Sequence, residues 1–241
     1  MVPKLVDKED KGERKDGRRQ VLATFVNDFT NRGRIAEPSL NHPRSLLDAL
    51  HKRQDRVLEG LGGGITHEAK LESRLTVGLG GPHPSEVGFT FDRSVGVPFL
   101  PGSSVKGLCR AANEIFGIHP ELHETLFGPA HIDADDPASI GDLVFFDAYP
   151  TRWPTLELDV LNSHHPAYYG GKSSYPAETE NPIPIYFLAV ARGTAWTFRV
   201  RSRSGKYTGQ ALEVLQTALI ELGAGAKTAV GYGAFEPGRA P

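Results

Sequence analysis

The order of helix-like and strand-like segments constrains the fold of this chain more than any other feature. Apolar residues recur at helical spacing over 43–61 and 210–222, and a third helix is predicted to follow Pro101. The strand-like stretches between them cover 69–80, 140–150, 183–191 and 194–203. No repeat or linker divides the chain, so this order favours one α+β domain with an antiparallel sheet and insertions.

Two segments depart from this pattern. Residues 1–20 are mostly charged and contain few large apolar groups, which predicts a disordered arm ahead of a single domain over 21–241. Basic residues in the second half of the arm could instead contact RNA, although the interleaved acids favour a solvated tail: Arg14, Lys15, Arg18 and Arg19. Residues 150–182 are rich in Pro, Tyr, His and Ser and predict an irregular insertion that is functional or reaches a partner.

Charge and composition exclude several classes of protein. The formal net charge is -2, so no global basic field identifies a nucleic-acid binder, and such a function must rest on local patches. The single cysteine rules out an internal disulfide and a cysteine-rich zinc site. No apolar run approaches the ~20 residues of a membrane span, so we expect a cytoplasmic protein without membrane contact. The nine histidines show no metal-site spacing, and we predict neither a metal nor a cofactor.

The stretch "PGSSVKGLCRAANEIFG" predicts a helix that could bind an anion. Its core-facing stripe consists of Val105, Leu108, Cys109, Ala112 and Phe116. Lys106 and Arg110 lie one turn apart on a different face, and Ser103 or Ser104 can serve as N-cap. The free N–H groups of the first turn attract anions such as phosphate. A capped helix with ordinary surface cations explains the same residues equally well.

The closing stretch "GAGAKTAVGYGAF" resembles a phosphate loop but fails the pattern of a nucleotide site. A P-loop needs a glycine immediately before its lysine and a strand before the loop, whereas here Ala226 precedes Lys227 and the loop follows a helix. A dinucleotide fingerprint fails for the same topological reason. The glycines that remain flank Lys227 and Thr228 and could bring N–H groups close to a phosphodiester: Gly223, Gly225, Gly231 and Gly233. The alternative is a glycine-rich turn into a final strand.

The strand-like stretch "TAWTFRVRSR" alternates apolar residues with arginines. Trp196, Phe198 and Val200 would share one face. The opposite face would carry Arg199, Arg201 and Arg203, and it predicts either a surface open to a polyanion or an ordinary solvated face.

"VPFLPGSSVKGLCR", followed by "GAGAKTAVGYGAF" about a hundred residues later, resembles the RAMP superfamily of CRISPR-associated proteins. That family is marked by a P-G-S-S-x-K-G helix start and a C-terminal glycine-rich loop. "GLGGPHPSEVGFTFDRSVG" and "NPIPIYFLAVARGT" are similar to the sixth-subunit family of the type III-B Cmr effector complex. The resemblance covers roughly residues 43–236 and leaves out the N-terminal arm.

The resemblance implies a modified ferredoxin-like (RRM-like) core and a role as a non-catalytic backbone subunit. Such a subunit would help to hold the CRISPR guide RNA near its 3′ end and would contact other Cmr RAMP subunits and the duplex of guide and target RNA. The RNA-binding residues that we predict on this basis are Ser103, Ser104, Lys106, Arg110, Arg74, Gly223, Gly225, Lys227, Thr228 and Gly231.

Two other functions remain open from the sequence. Some relatives in this superfamily cleave RNA, and Asp28, Asp92 or His164 could then take part in acid–base chemistry. Asp92, ahead of Arg93 and Ser94, is more simply explained as a turn residue. The other alternative is a protein-only capping subunit that never contacts RNA.

Overall fold

The computed structural model describes residues 11–34, 42–81, 87–129, 140–163, 171, 174–175 and 183–237. Its helices are α1 (Lys11–Arg32), α2 (Pro43–Gly60), α3 (Gly102–Phe116), α4 (His123–Phe127) and α5 (Thr208–Thr217). Its strands are β1 (Ile65–Lys70), β2 (Leu143–Phe145), β3 (Tyr149–Pro150), β4 (Leu156–Ser163), β5 (Ile183–Val190) and β6 (Ala195–Ser202). A π-helical turn, Ala218–Leu222, continues α5. This mixture of helices and antiparallel strands agrees with the predicted α+β class.

Strand β6 is the centre of the main sheet. It pairs antiparallel with β1 along one edge and with β2 and then β3 along the other. Beyond β1, Leu71 forms a bridge with Phe235 near the end of the chain. Strands β4 and β5 form a separate two-stranded ribbon, which the bridge between Leu75 and Val190 joins to the rest of the fold.

Helices cover both faces of β6 because its side chains alternate. Trp196, Phe198 and Val200 are buried in the hydrophobic core with residues of α3 and α5. On the opposite face, α2 lies over Arg199, whose Nε donates to Asp55 at 2.7 Å. Arg199 is only 3% exposed, so at this position the predicted face is neither open to a polyanion nor solvated. Arg201 is half-buried and Arg203 is exposed just beyond the strand, so for these two residues both interpretations stay predictions.

Helix α1 includes residues 11–20, which the charge pattern predicted to be disordered. The second half of the helix is anchored, because Leu22 and Phe29 are buried and Phe29 stacks on Trp153 with ring centroids 4.7 Å apart. An anchored helix can extend past its docked turns, since each added residue only propagates an existing helix. Residues 1–10 lie outside the described residues.

The predicted insertion at 150–182 is in part regular. Strand β4 occupies Leu156–Ser163, and its lack of clear alternation reflects a ribbon in which Val160 and Leu161 are exposed side by side. The strand predicted over 69–80 lies earlier, at β1, and the following residues make only isolated bridges. Most of 164–182 lies outside the described residues, so the rest of that prediction stays a prediction.

Candidate nucleic-acid interface

Helix α3 begins without a serine cap. Pro101 is its N-cap, and Ser103 and Ser104 lie inside the first turn, where neither side chain makes a capping hydrogen bond. The N–H of Gly102 instead donates to Oδ1 of Asp147 at 2.7 Å. The prediction that a serine caps α3 is therefore wrong. The carboxylate at the helix start comes from the β2–β3 connection, which no local pattern around Pro101 reveals.

The glycine of the "PG" pair allows α3 to approach β2 closely. A Cβ atom on Gly102 would lie 2.4 Å from the carbonyl oxygen of Phe145, closer than Cβ atoms occur in proteins. From this start, Val105, Cys109 and Ala112 are buried in the core as predicted, and Leu108 is half-buried. The predicted stripe is wrong at Phe116, which is 45% exposed in the last turn of the helix. At the other end, Gly117 adopts a left-handed conformation with φ 57° and ends the helix.

Lys106 and Arg110 lie on the half-exposed side of α3. Neither makes an ion pair with a carboxylate among the described residues, so both charges are available to a ligand. Glu114, one turn further along, is exposed as well. The helix thus confirms the prediction that Lys106 and Arg110 lie on a different face from the core-facing residues.

The glycine-rich loop is held down by backbone hydrogen bonds. Gly233 N donates to Arg74 O at 2.6 Å, and Ala226 N donates to Thr76 O at 2.8 Å. A Cβ on Gly225 would lie 2.4 Å from Thr76 O, and one on Gly223 would lie 2.8 Å from Gly233 O. These glycines are required by the packing of the loop itself, before any ligand is considered.

Lys227 differs from the other described non-glycine residues because its φ is positive, at 63°. Its Nζ lies 5.1 Å from the ring centroid of Phe187 and 5.7 Å from that of Tyr232. Cation–π contacts of this kind hold an ammonium group without neutralising its charge. The loop therefore presents a positioned cation with no carboxylate partner among the described residues.

The two motifs meet at one groove of about 690 Å³. Ser104 lines it from α3, and Gly223, Gly225 and Thr228 line it from the glycine-rich loop. The predicted residues outside this lining are Ser103, Lys106, Arg110, Arg74, Lys227 and Gly231. The structure thus brings together the two ends of the predicted site, while the predicted cations lie outside the groove.

Arg74 forms ion pairs with two carboxylates of strand β4. Its Nε donates to Glu157 at 2.5 Å and its Nη1 to Asp159 at 3.0 Å, and the hydrogen bond to Glu157 raises the pKa of the guanidinium. Tyr232 donates to the same Asp159 at 2.6 Å, and burial together with this hydrogen bond raises the tyrosine pKa to about 12. Two carboxylates thus balance the charge of Arg74 and fasten the β4–β5 ribbon to the glycine-rich loop.

Asp92 has a structural role in this arrangement. Its Oδ1 accepts from Ser94 N and Val95 N, both at 2.8 Å, and its Oδ2 accepts from Tyr149 at 2.9 Å. These hydrogen bonds form the turn that the sequence predicted at Asp92. Asp28 is exposed on α1, and His164 lies outside the described residues.

A metal site is not formed by the parts of the chain that the structure describes, because they contain no group of three or more His, Cys, Asp or Glu residues placed to hold an ion. His119 contacts Glu213, and His123 contacts Asn113. Over the same parts of the chain, no helix is both long and apolar enough to cross a membrane.

Comparison with known proteins agrees with the motifs. A family model described as the RAMP superfamily matches residues 68–236. The CRISPR system Cmr subunit Cmr6 of Pyrococcus furiosus is 30% identical over 233 residues, covering 70% of this chain and 66% of that protein. The corresponding subunit of Saccharolobus solfataricus is 32% identical over 178 residues, covering 71% of this chain and 57% of its own length. The chain thus spans under two thirds of these relatives.

The fold has a solved counterpart. A chain in the cryo-EM structure of the type III-B Cmr-beta bound to cognate target RNA superposes with a TM-score of 0.67 at 21% identity. The match covers 98% of this chain and 78% of the other, and it shows a shared fold. Since the family model spans most of the residues and both of its characteristic motifs meet at one groove, the chain belongs to the RAMP superfamily.

Proposed function

We propose that this protein is a non-catalytic RNA-binding backbone subunit of a type III-B Cmr effector complex, acting in the cytosol. It would hold the guide RNA near its 3′ end, beside other Cmr subunits and the duplex of guide and target RNA. The observation that carries the proposal is the shared groove, where the α3 start and the glycine-rich loop meet although they lie far apart in the chain. Similarity to two proteins named Cmr6 supports the choice of complex.

The proposed RNA contacts fall into three kinds. Lys106, Arg110 and Lys227 provide charge for phosphates, and they have no carboxylate partner among the described residues. The hydroxyls of Ser103, Ser104 and Thr228 and the backbone around Gly223, Gly225 and Gly231 provide hydrogen bonds. We leave Arg74 out of this set because Glu157 and Asp159 already hold its guanidinium.

We also propose that the core is ferredoxin-like. Support comes from the order β1–α3–β2, then β6–α5, then the segment around Phe235 that bridges Leu71. In the sheet, that segment lies beside β1, followed by β6 and β2. Two strand–helix–strand units interleaved in this way are the arrangement expected of the fold. Strands β3, β4 and β5 would then be additions between the second and third core strands.

The test is retention of guide RNA by the reconstituted Cmr complex that contains this subunit. Lys106→Glu and Lys227→Glu each replace an available positive charge with a negative one, so both should weaken retention in a filter-binding assay, the double variant most. Lys206→Glu makes the same change at an exposed lysine in the β6–α5 turn and should have little effect. Full retention by the double variant in an assembled complex would contradict the proposal.

Two further measurements separate the alternatives. Crosslinking of guide RNA to this chain in the complex would exclude a protein-only cap. For a ribonuclease, the assay is cleavage of labelled target RNA with and without Asp92→Ala. We expect unchanged cleavage in complexes that assemble, because Asp92 holds a turn through its contacts with two backbone N–H groups and Tyr149.

A further inference from the structure

The groove between α3 and the glycine-rich loop is lined by uncharged groups. Its walls consist of apolar side chains, glycines and backbone, with hydroxyl groups from Thr90, Ser104 and Thr228, and none of the described lining residues carries a charge. Its volume of about 690 Å³ lies in the range of about 300–1,000 Å³ that is typical of small-molecule pockets. Such a lining suits a flat, largely apolar group better than an ion.

A phosphate fits the inside of this groove poorly. Moving an ionised group out of water is costly unless charges or several donors replace the water, and Lys106 and Lys227 lie outside the lining. The first N–H of α3, at Gly102, is already taken by the carboxylate of Asp147. A negative group at the helix start also repels a second one, so the dipole of α3 is not free to bind phosphate there.

The groove does offer an aromatic wall. Phe99 lines it, and Tyr149 stacks against Phe99 with centroids 5.7 Å apart and ring planes inclined by only 16°, which fixes the orientation of the Phe99 ring. Leu108 and Leu222 add aliphatic surface. An oriented ring beside aliphatic groups is a platform for a nucleobase, and nearby hydroxyls can bond to the base edge.

We propose that the groove binds an unstacked nucleobase of the RNA, with the phosphates of the same strand outside it. This inference rests on the proposed function, because the strand comes from the RNA that the subunit would hold. Lys227 lies between two lining residues, Ala226 and Thr228, but directs its Nζ over Phe187 and Tyr232. Because Lys227 is flanked by two lining residues, we expect its ammonium group to contact the phosphate of a nucleotide whose base enters the groove.

Gly80 provides a way to fill the groove without disturbing the fold. It lines the groove, its φ lies outside the left-handed region, and a Cβ placed on it would meet nothing within 4 Å. Gly80→Leu should therefore occupy the space of the base while the backbone keeps its conformation. Gly209→Leu is the matched control, because Gly209 is exposed on α5, outside the groove lining, and is equally free of neighbours.

The experiment measures binding of two fluorescent single strands to the full chain by anisotropy. One is an oligouridine, and the other is the same ribose–phosphate chain without bases. Wild type should bind the oligouridine about 5- to 150-fold more tightly than the abasic strand, as expected for one stacked base. Gly80→Leu should lower affinity for the oligouridine to that for the abasic strand and leave abasic binding unchanged, whereas Gly209→Leu should behave as wild type.

The outcomes also separate this inference from the proposed function. Equal affinity of wild type for both strands, or an undiminished preference for oligouridine in Gly80→Leu, would overturn base binding alone. Binding of neither strand by wild type would overturn the proposed function and this inference together. Thermal melting of each variant is the folding control. If Gly80→Leu is unstable, Gly80→Val takes its place, since its smaller side chain enters the same open space.

Discussion

Two glycines of α3 are subject to opposite constraints. Gly102 has no room for a side chain, because its Cβ would lie 2.4 Å from Phe145 O. Gly107, on the exposed side of the same helix, would place a Cβ in open space. The first glycine therefore serves the approach of α3 to β2, and the second serves no packing contact within the described residues.

Alanine substitutions should reveal this difference. Gly102→Ala should lower the free energy of unfolding by about 1–3 kcal/mol, because a methyl group is forced against a backbone carbonyl. Gly107→Ala should raise it by about 0.5–1 kcal/mol, since alanine favours a helix interior. Urea denaturation of both variants provides the measurement. A Gly102→Ala protein as stable as wild type would show that the start of α3 is not confined in this way.

For individual residues, the sequence identified the important positions, but it often gave the wrong physical reason for their importance. Gly223 and Gly225 were expected to leave room for RNA, yet their positive φ values and the carbonyls of Gly233 and Thr76 already require glycine. Asp147 was missed as the group at the start of α3, because it reaches Gly102 from a distant part of the chain. Contacts of that kind leave no local spacing to detect.

At the scale of elements, α2 and β6 are joined through His51. Its Nε2 donates to Pro150 O at 2.9 Å, so its Nδ1 must accept the hydrogen bond from Nη1 of Arg199 at 3.2 Å. Burial lowers the pKa of His51, and the nearby guanidinium of Arg199 lowers it further, against the opposing effects of the Pro150 carbonyl, Asp55 and Asp48. The contact between helix and sheet thus needs a neutral imidazole.

This contact should make stability depend on pH. Because the folded-state pKa lies below the unfolded value of about 6.5, the unfolded chain binds protons first as pH falls. The contribution of His51 is complete above that value and is lost as pH drops from there towards the folded-state pKa. Urea denaturation between pH 8 and pH 5.5 measures this, and His51→Gln should flatten the profile.

The pH profile has an internal control. Burial also lowers the pKa of His67 in β1, so His67→Gln should remove a second part of the slope. A profile that neither substitution alters would show that other titratable groups dominate the pH dependence of stability.

The alternation in β6 predicted that its arginines share a face, but the covering of that face by α2 depends on Asp55 and Gln54, which the sequence indicated only as polar helix residues.

At the scale of the whole molecule, ion pairs engage some of the basic side chains and leave few cations near the groove to bind a ligand. The net charge is -2, and Lys70 is paired with Glu236 and Arg199 with Asp55. Near the groove this leaves Lys106, Arg110 and Lys227 without carboxylate partners among the described residues. An RNA interface here should therefore combine a few phosphate contacts with uncharged surface.

The salt dependence of RNA binding tests this distribution. Three phosphate contacts to a single strand predict a slope of log K against log salt of about −2, since each contributes about −0.7. Lys227→Gln should make the slope shallower by about 0.7, whereas Lys70→Gln should leave it unchanged. Anisotropy titrations from low to high potassium chloride provide the values. A slope near zero for wild type would contradict phosphate binding at these residues.

The overall architecture could be predicted only in part. Apolar periodicity identified α2, α3 and α5, because each of these helices buries one face, and alternation identified β6, because its large apolar side chains all point to the same side. The order of strands in the sheet and the pairing of β4 with β5 could not be predicted, because strand partners are chosen by long-range packing. The groove itself arises from that packing, so the sequence predicted its two walls but not its uncharged interior.

The rate at which Cys109 reacts with a thiol reagent can measure how often α3 leaves the core. Cys109 is the single cysteine of the chain, its side chain is wholly buried on the inner face of α3, and burial raises its pKa, so a thiol reagent cannot react with the native form. Labelling must wait for α3 to leave the core, and its rate reports how often that opening occurs. Because α3 also forms a wall of the groove, an occupant that binds only the closed form should slow the labelling in proportion to its saturation.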